Sequence, residues 1–413
     1  KDQPAALKLK KAAAAKAAAE EKAPPPAQPQ KVAAPVAAPV RKKETPQPRV
    51  SAAKPKPMKS KTTSRVRPLL IKLGIGVCVA AAAVMVQNRL PKVVTEPRNL
   101  PTAASTPAQP PASPSPQLSS TDAHAGGVTS LAFSADGSRL VSTGADHTVK
   151  VWNSASMSLV RQIPIDGGAA TSLAVNGDLA LTGHADGRIT MWDIATARKR
   201  ASYRRNEADV WSLAFAGTPA RFLTAAHDWK VALWDADRDN APLHVFDGHD
   251  SAVQSVAYSS AGGLFASGGA DKTVKLWNLA TLDLVRTYKG SDDFITSVAL
   301  SPDGKWLAAA SLDGSIRLWS TTSQRLRRKF YGHQGAINAI NFASDSHRFV
   351  TAGNDGTVRL WDIERRRSVR AYAGHRGEVK AAVYSPDGAR IASAGTDGTV
   401  RIWSGQAKSA GGS

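Results

Sequence analysis

Seven tryptophans recur along this chain at nearly constant intervals: Trp152, Trp192, Trp234, Trp277, Trp319, Trp361 and Trp403, spaced by 40, 42, 43, 42, 42 and 42 residues. An aspartate precedes each by six positions: Asp146, Asp186, Asp228, Asp271, Asp313, Asp355 and Asp397. A period of this length is one supersecondary unit that cannot bury its apolar face alone and must stack on its neighbours. Segments such as KTVKLW, GSIRLW and GTVRLW alternate with period two and read as strands. A further strand lies upstream of each aspartate, as in RFVTAGND. Turns such as SPDG at 301–304 and 385–388 suit the left-handed backbone of a tight hairpin. The expected fold is all-β, with about four short strands per unit.

These residues resemble the WD-repeat β-propeller family, and the resemblance implies a seven-bladed ring over 117–413. Gly248-His249, Gly332-His333 and Gly374-His375 each stand 22 residues before a repeat aspartate, and His124 keeps that spacing after Ala123. The resemblance implies buried hydrogen-bonded chains His124–Ser142–Asp146–Trp152, His249–Ser267–Asp271–Trp277, His333–Thr351–Asp355–Trp361 and His375–Ser393–Asp397–Trp403. Such chains make physical sense, because a buried carboxylate needs partners. Three repeats depart from the pattern. Pro164, Asn206 and Ser291 occupy the histidine position in the second, third and fifth, and Ala309 replaces the hydroxyl in the fifth. Those blades are expected to be held less firmly. After Trp403 only SGQAKSAGGS remains, so Gln117–Asp122 is expected to supply the last blade's outer strand.

Charge divides the chain at the same place. The formal charge of +21 is concentrated before residue 121, where 20 of the 25 prolines also lie, whereas every aromatic and histidine lies after it. Residues 1–68, rich in Ala, Pro and Lys, hold too little apolar surface to offset ordering entropy and are expected to be a disordered basic arm. The arm is expected to be a solvated linker, with anionic lipid as the next candidate partner. Nucleic acid ranks lower, since no aromatic is available to stack on bases.

Residues 69–87 (LLIKLGIGVCVAAAAVMVQ) are expected to form a single transmembrane helix, and 88–116 a Pro/Ser/Ala-rich linker. The Lys/Arg-rich stretch before this segment, against three basic residues in 88–116, places the N-terminus in the cytoplasm and exports the propeller. Lack of glycosylation sequons and the Ala/Pro/Lys bias suggest a bacterial inner-membrane protein with its propeller on the periplasmic side. The alternative is a soluble cytoplasmic scaffold whose basic arm meets nucleic acid or acidic partners.

No catalytic constellation stands out. GxxxxGK[ST], HExxH and GxSxG are absent, and the His and Asp residues recur too regularly to be catalytic. An enzyme with a site assembled from several blades is the lesser reading. The stretch Asp235–Asn240 imitates a calcium loop but has Asn240 where Gly is required and Phe246 where Glu is required. No cofactor or metal is expected, and the single Cys78 excludes a disulfide framework.

The expected activity is a non-catalytic scaffold or sensor binding a protein or peptide on the loop face. Candidates are the residues that break the repeat. Gly follows the aspartate in four repeats, yet the third has Trp229, flanked by His227 and Lys230. Leu312 is the other apolar residue at an otherwise small or polar turn position. Arg205, Asp250, Arg376 and Glu378, with Arg204, Asp292 and Asp293, complete a mixed-charge rim.

Overall fold

Alternating strands bounded by Gly, Asp and Ser turns fold into seven four-stranded antiparallel sheets. The computed structural model describes residues 117–204, 208–238, 240–365 and 367–406. In the first blade the strands run from the centre outward: Val128–Phe133, Arg139–Gly144, Thr148–Asn153 and Leu159–Pro164. The other blades repeat this order, with inner strands Ala170–Asn176, Val210–Ala216, Val253–Ser259, Ile295–Leu300, Ile337–Phe342 and Val379–Tyr384. Each inner strand neighbours the next around a closed circle, and the seventh meets the first. This is a seven-bladed propeller.

The circle closes across the chain's length. Strand Gln117–Asp122 pairs antiparallel with Thr399–Ser404 of the seventh blade, with Ser119 opposite Ile402 and Thr121 opposite Val400. It is that blade's outer strand.

The core lies between blades. The second strand of each blade is buried on both faces, as in Arg348–Gly353, so it reads as an apolar and small-residue run rather than an alternation. From the second blade to the seventh, the repeat tryptophan is buried against the outer strand of the preceding blade. Trp361 lies 6.2 Å from Phe349 in a stacked pair and 5.7 Å from Phe330 of the fifth blade. Trp234 stacks on Phe222 and meets Tyr203 of the second blade, both at 5.9 Å. Burying one such ring removes about 200 Å² of mostly apolar surface, worth roughly 5 kcal/mol of gross transfer free energy. The period is therefore visible because the interface that fixes each blade repeats.

Among the described residues no helix is long and apolar enough to cross a membrane. The expected basic arm (1–68), transmembrane helix (69–87) and linker (88–116) lie outside the described residues.

Candidate partner-binding face

One face of the ring is built by the turns between second and third strands and the loops between blades. The hydrogen-bonded chains lock these two sets together. In the sixth blade Trp361 Nε1–H donates to Thr351 Oγ1 (2.8 Å), and that hydroxyl meets His333 Nε2 (2.7 Å). His333 Nδ1 faces both Asp355 oxygens at 3.0 Å. The first blade has the same chain: Trp152 to Ser142 (2.9 Å), Ser142 to His124 (2.7 Å), and His124 to Asp146 (2.7 Å). In the fourth, Trp277–Ser267–His249–Asp271 runs at 2.9, 2.8 and 2.7 Å. In the seventh, Trp403–Ser393–His375–Asp397 runs at 2.8, 2.8 and 3.0 Å.

The protonation pattern follows from the environment. Burial pushes His124, His333 and His375 below the ordinary imidazole value, against the pull of their aspartates. Burial also opposes ionisation of the carboxylates but is outweighed by hydrogen bonds. Asp271 and Asp397 are drawn down to about 2, and Asp355 lies well below the usual carboxylate range. The assignment is a neutral histidine donating from Nδ1 to a carboxylate and accepting at Nε2 from the hydroxyl. A network saturated in this way has no free base or nucleophile to offer substrate.

Two supporting positions escape a search for the His–Asp–Trp spacing. A threonine two after the aspartate (Thr148, Thr273, Thr357, Thr399) gives the same carboxylate a hydroxyl and a backbone N–H, for instance 2.7 and 3.0 Å at Asp355. A glycine two before it leaves room for the imidazole. A Cβ at Gly144 or Gly353 would run into His124 or His333.

The second and fifth blades solve the same problem differently. In the second, the place of that glycine is taken by His184, 1% exposed, whose Nε2 lies 3.1 Å from Thr182 Oγ1, which accepts from Trp192 Nε1 at 2.9 Å. The imidazole missing at Pro164 is supplied from within the blade. In the fifth, Arg317, 1% exposed, reaches Asp292 (2.8 Å), Asp313 (3.4 Å), Ser315 (2.7 Å) and Ser291 (3.3 Å). Buried side chains from elsewhere in these two blades thus occupy the place of the loop histidine missing at Pro164 and Ser291. In the third, Trp234 donates to Thr224 (3.1 Å), and Asn206 lies outside the described residues.

The third blade carries the departure that no network absorbs. Trp229 is 52% exposed and holds φ of 71°, where four other repeats have glycine between 72° and 78°. His147 and Lys272 take the same conformation at this point of their blades, with φ of 59° and 62°, so what sets Trp229 apart is a large apolar ring with half its surface in water. His227, also exposed, sits edge-on to Trp211 at 5.3 Å. Lys230 pairs with Asp247 at 3.4 Å. Trp211 lies at the mouth of the central channel, of about 560 Å³, at a position occupied in other blades by Thr129, Thr171, Gln254, Thr296, Asn338 and Lys380. Several of those polar residues tie their blade to the next. Thr171 donates to the Val210 carbonyl (2.5 Å) and Asn338 to that of Val379 (2.8 Å). Trp211 gives up such a hydroxyl or amide for an aromatic surface, and the sequence reading missed it.

The other candidates are distributed around the same face. Asp250 and Arg376 are exposed, and their backbone N–H groups donate to Asp271 and Asp397. Glu378 pairs with Lys380. Leu312 is half-buried, its N–H held by the Phe294 carbonyl at 3.0 Å. Asp292 is occupied by Arg317 and Lys329. Arg204 is exposed on an outer strand, and Arg205 lies outside the described residues. Asp235 of the calcium-loop imitation is within 3.7 Å of Arg221 and 3.9 Å of Arg238. No group of metal-ligating residues occurs among the described residues.

The family model for the WD domain, G-beta repeat, matches residues 115–153, 198–235, 240–278, 282–320, 324–362 and 366–404, more than half of the chain. The chain belongs to the WD40 family. The stretch the WD40 model passes over, 154–197, holds the first three strands of the blade with the displaced histidine. The chain is 27% identical over 157 residues to apoptotic protease-activating factor 1 of Rattus norvegicus, covering 38% of this chain and 12% of that protein. It is 29% identical to the transcriptional corepressor LEUNIG_HOMOLOG of Arabidopsis thaliana, over 41% of this chain and 22% of the relative. It is 27% identical to the anaphase-promoting complex subunit cdc20 of Dictyostelium discoideum, over 37% and 32%. The matches thus span about a third or less of each of these relatives. Proteins with such WD40 repeats act as protein-interaction scaffolds or regulators and generally carry no catalytic site.

Proposed function

We propose that this chain is a non-catalytic scaffold that holds a protein or peptide partner on the turn face of its third blade, with Trp229 as anchor. The observation that carries the reading is a half-exposed tryptophan held in a glycine conformation beside a second non-repeat tryptophan, Trp211. Large aromatics dominate interface energetics when a partner buries them. His227 and Lys230 supply polar contacts at the rim of such an anchor, and Asp250, Arg376, Glu378 and Leu312 a wider, weaker rim. The relatives' names, a corepressor and a complex subunit among them, are consistent with a role in assemblies. Affinity purification with the unaltered chain, Trp229→Ala and Lys230→Glu tests the reading. Loss of the same partner from both variants supports it, and undiminished recovery from Trp229→Ala overturns it.

Attachment to a membrane through 69–87, with the propeller exported, is a proposal from the sequence alone. Its support is the uncharged run Leu73–Val86 behind a Lys/Arg-rich flank. Release of the chain by a carbonate wash would refute it, and protease access to the propeller in spheroplasts reads its side.

A further inference from the structure

We propose that the outer edge of the second blade is a docking strand for an acidic, extended peptide segment of a partner protein. Strand Arg198–Arg204 (RKRASYR) is the longest outer strand of the seven, with seven residues against three to six elsewhere. Arg198, Lys199, Arg200 and Arg204 are all exposed, and none forms an ion pair among the described residues.

Folding does not explain this array. Arg204 stands directly opposite Arg188 in the ladder, a like-charge pairing that disfavours the sheet. Cations on an edge guard against aggregation, but neighbouring blades manage with far fewer. Leu159–Pro164 carries only Arg161, and His244–Phe246 carries no Lys or Arg. The fifth blade's outer strand is also basic, and there Lys329 pairs with Asp292 at 2.9 Å and Arg328 lies over the Phe330 ring at 6.0 Å, while Arg327 is exposed. Among the described residues the four cations of the second blade's outer strand have no such partner.

The shape of the array selects the occupant. The strand is terminal in its sheet, so its outward N–H and C=O groups face no other strand among the described residues, and an added strand can pair with them. Alternate residues of an extended peptide lie about 6.6 Å apart, the same repeat as the strand's own side chains. A bulge opposite Met191 and Trp192 skips Arg200 and turns Arg198 to the face opposite Lys199 and Arg204, so a peptide with carboxylates on both of its faces meets the cations. The edge presents no exposed aromatic for base stacking, because Tyr203 is only 3% exposed. This surface is distinct from the Trp229 turn, and the proposal does not depend on the anchor there.

The test is fluorescence anisotropy of a labelled Glu-rich peptide of about ten residues, with Glu on both faces and Thr or Val between, titrated with the full chain. The proposal predicts about tenfold weaker binding by Arg198→Ser/Arg200→Ser/Arg204→Ser, and a similar loss when alternate peptide nitrogens are methylated, which keeps the charges but blocks strand pairing. The basic arm is common to both proteins, so the ratio isolates the edge, and Trp229→Gly leaves it unchanged. Equal affinity of the triple variant overturns the proposal. So does equal binding of the methylated peptide, a measurement that needs no altered protein. A greater dependence on these arginines for oligothymidylate or phosphatidylserine vesicles than for the peptide would reassign the edge to nucleic acid or lipid.

Discussion

The sixth blade and the second blade have the same four strands, the same buried tryptophan and the same hydroxyl, yet fill the space beneath the inter-blade loop from opposite directions. In the sixth, His333 enters from the loop above Gly353 and is held by Asp355. In the second, His184 stands where that glycine would be and reaches Thr182 from below. The fifth blade uses neither and inserts Arg317 from its third strand. The comparison teaches that the loop histidine is one of several buried polar side chains able to occupy this part of a blade, His184 through Nε2 to Thr182 and Arg317 through Asp292, Asp313 and Ser315. The places of the loop histidines missing at Pro164 and Ser291 are therefore occupied from inside the blade.

The comparison breaks first at the aspartates. Asp355→Ala leaves His333 Nδ1–H buried without its partner and frees the loop N–H of Gln334, which Asp355 holds at 3.1 Å. It should cost about 3 kcal/mol. Arg317→Ala should cost as much, because Asp313 loses its buried counter-ion. Asp186→Ala should cost under about 1 kcal/mol, since that carboxylate holds only Arg188 at the surface. Urea denaturation of the three variants measures the differences, and equal losses in the second and sixth blades would end the argument.

The closing blade offers a comparison of a second kind, between a strand supplied locally and one supplied from the far end of the ring. Trimming the chain to residue 117 should leave Tm unchanged. Trimming through Asp122 should lower it by several degrees, on the order of 2–3 kcal/mol at this domain size. Equal melting of the two would contradict closure through Gln117–Asp122.

A smaller effect appears in pH. Burial, then the neighbouring Arg188 charge, hold His184 down to about 4, from an ordinary 6.5. The unfolded chain therefore binds the proton first on acidification. The stability this group contributes is complete above 6.5 and falls as pH drops toward 4. Between pH 7 and 5 the loss is about 2 kcal/mol. His184→Gln should make that part of the stability curve shallower, the remaining slope coming from His124, His333 and His375, which are also held below the ordinary imidazole value, while the carboxylates drawn down to about 2 at Asp271 and Asp397 act only in stronger acid. An unchanged slope would mean that His184 does not titrate in the unfolding equilibrium.

These contrasts also show what the sequence discloses. Tryptophan and aspartate recur because each blade repeats one interface, so the seven-fold fold is legible from spacing, and the four hydrogen-bonded chains run through residues that the spacing singles out. His184 and Arg317 are invisible to that method because they serve the same space from other positions. Arg317 looks in sequence like Lys150 and Lys275, the cations at the same point of their strands. The glycine that makes room for each loop histidine was the available signal: where it becomes His184 or Ser311, the filling has moved. Trp229 was conspicuous because glycine was expected there. Its neighbour Trp211 was not, since an aromatic on an inner strand reads as core until the ring shows that the position opens on a channel.

Function is argued from the remaining exception. If Trp229 is an anchor for a partner, restoring the family's glycine should separate binding from folding. Trp229→Gly relieves left-handed backbone at φ of 71° and should leave Tm unchanged or raise stability by up to about 1 kcal/mol. Partner recovery in quantitative affinity purification should nevertheless collapse. A lowered Tm with recovery intact would show instead that the ring needs Trp229 as a plug and would contradict the assignment of this face.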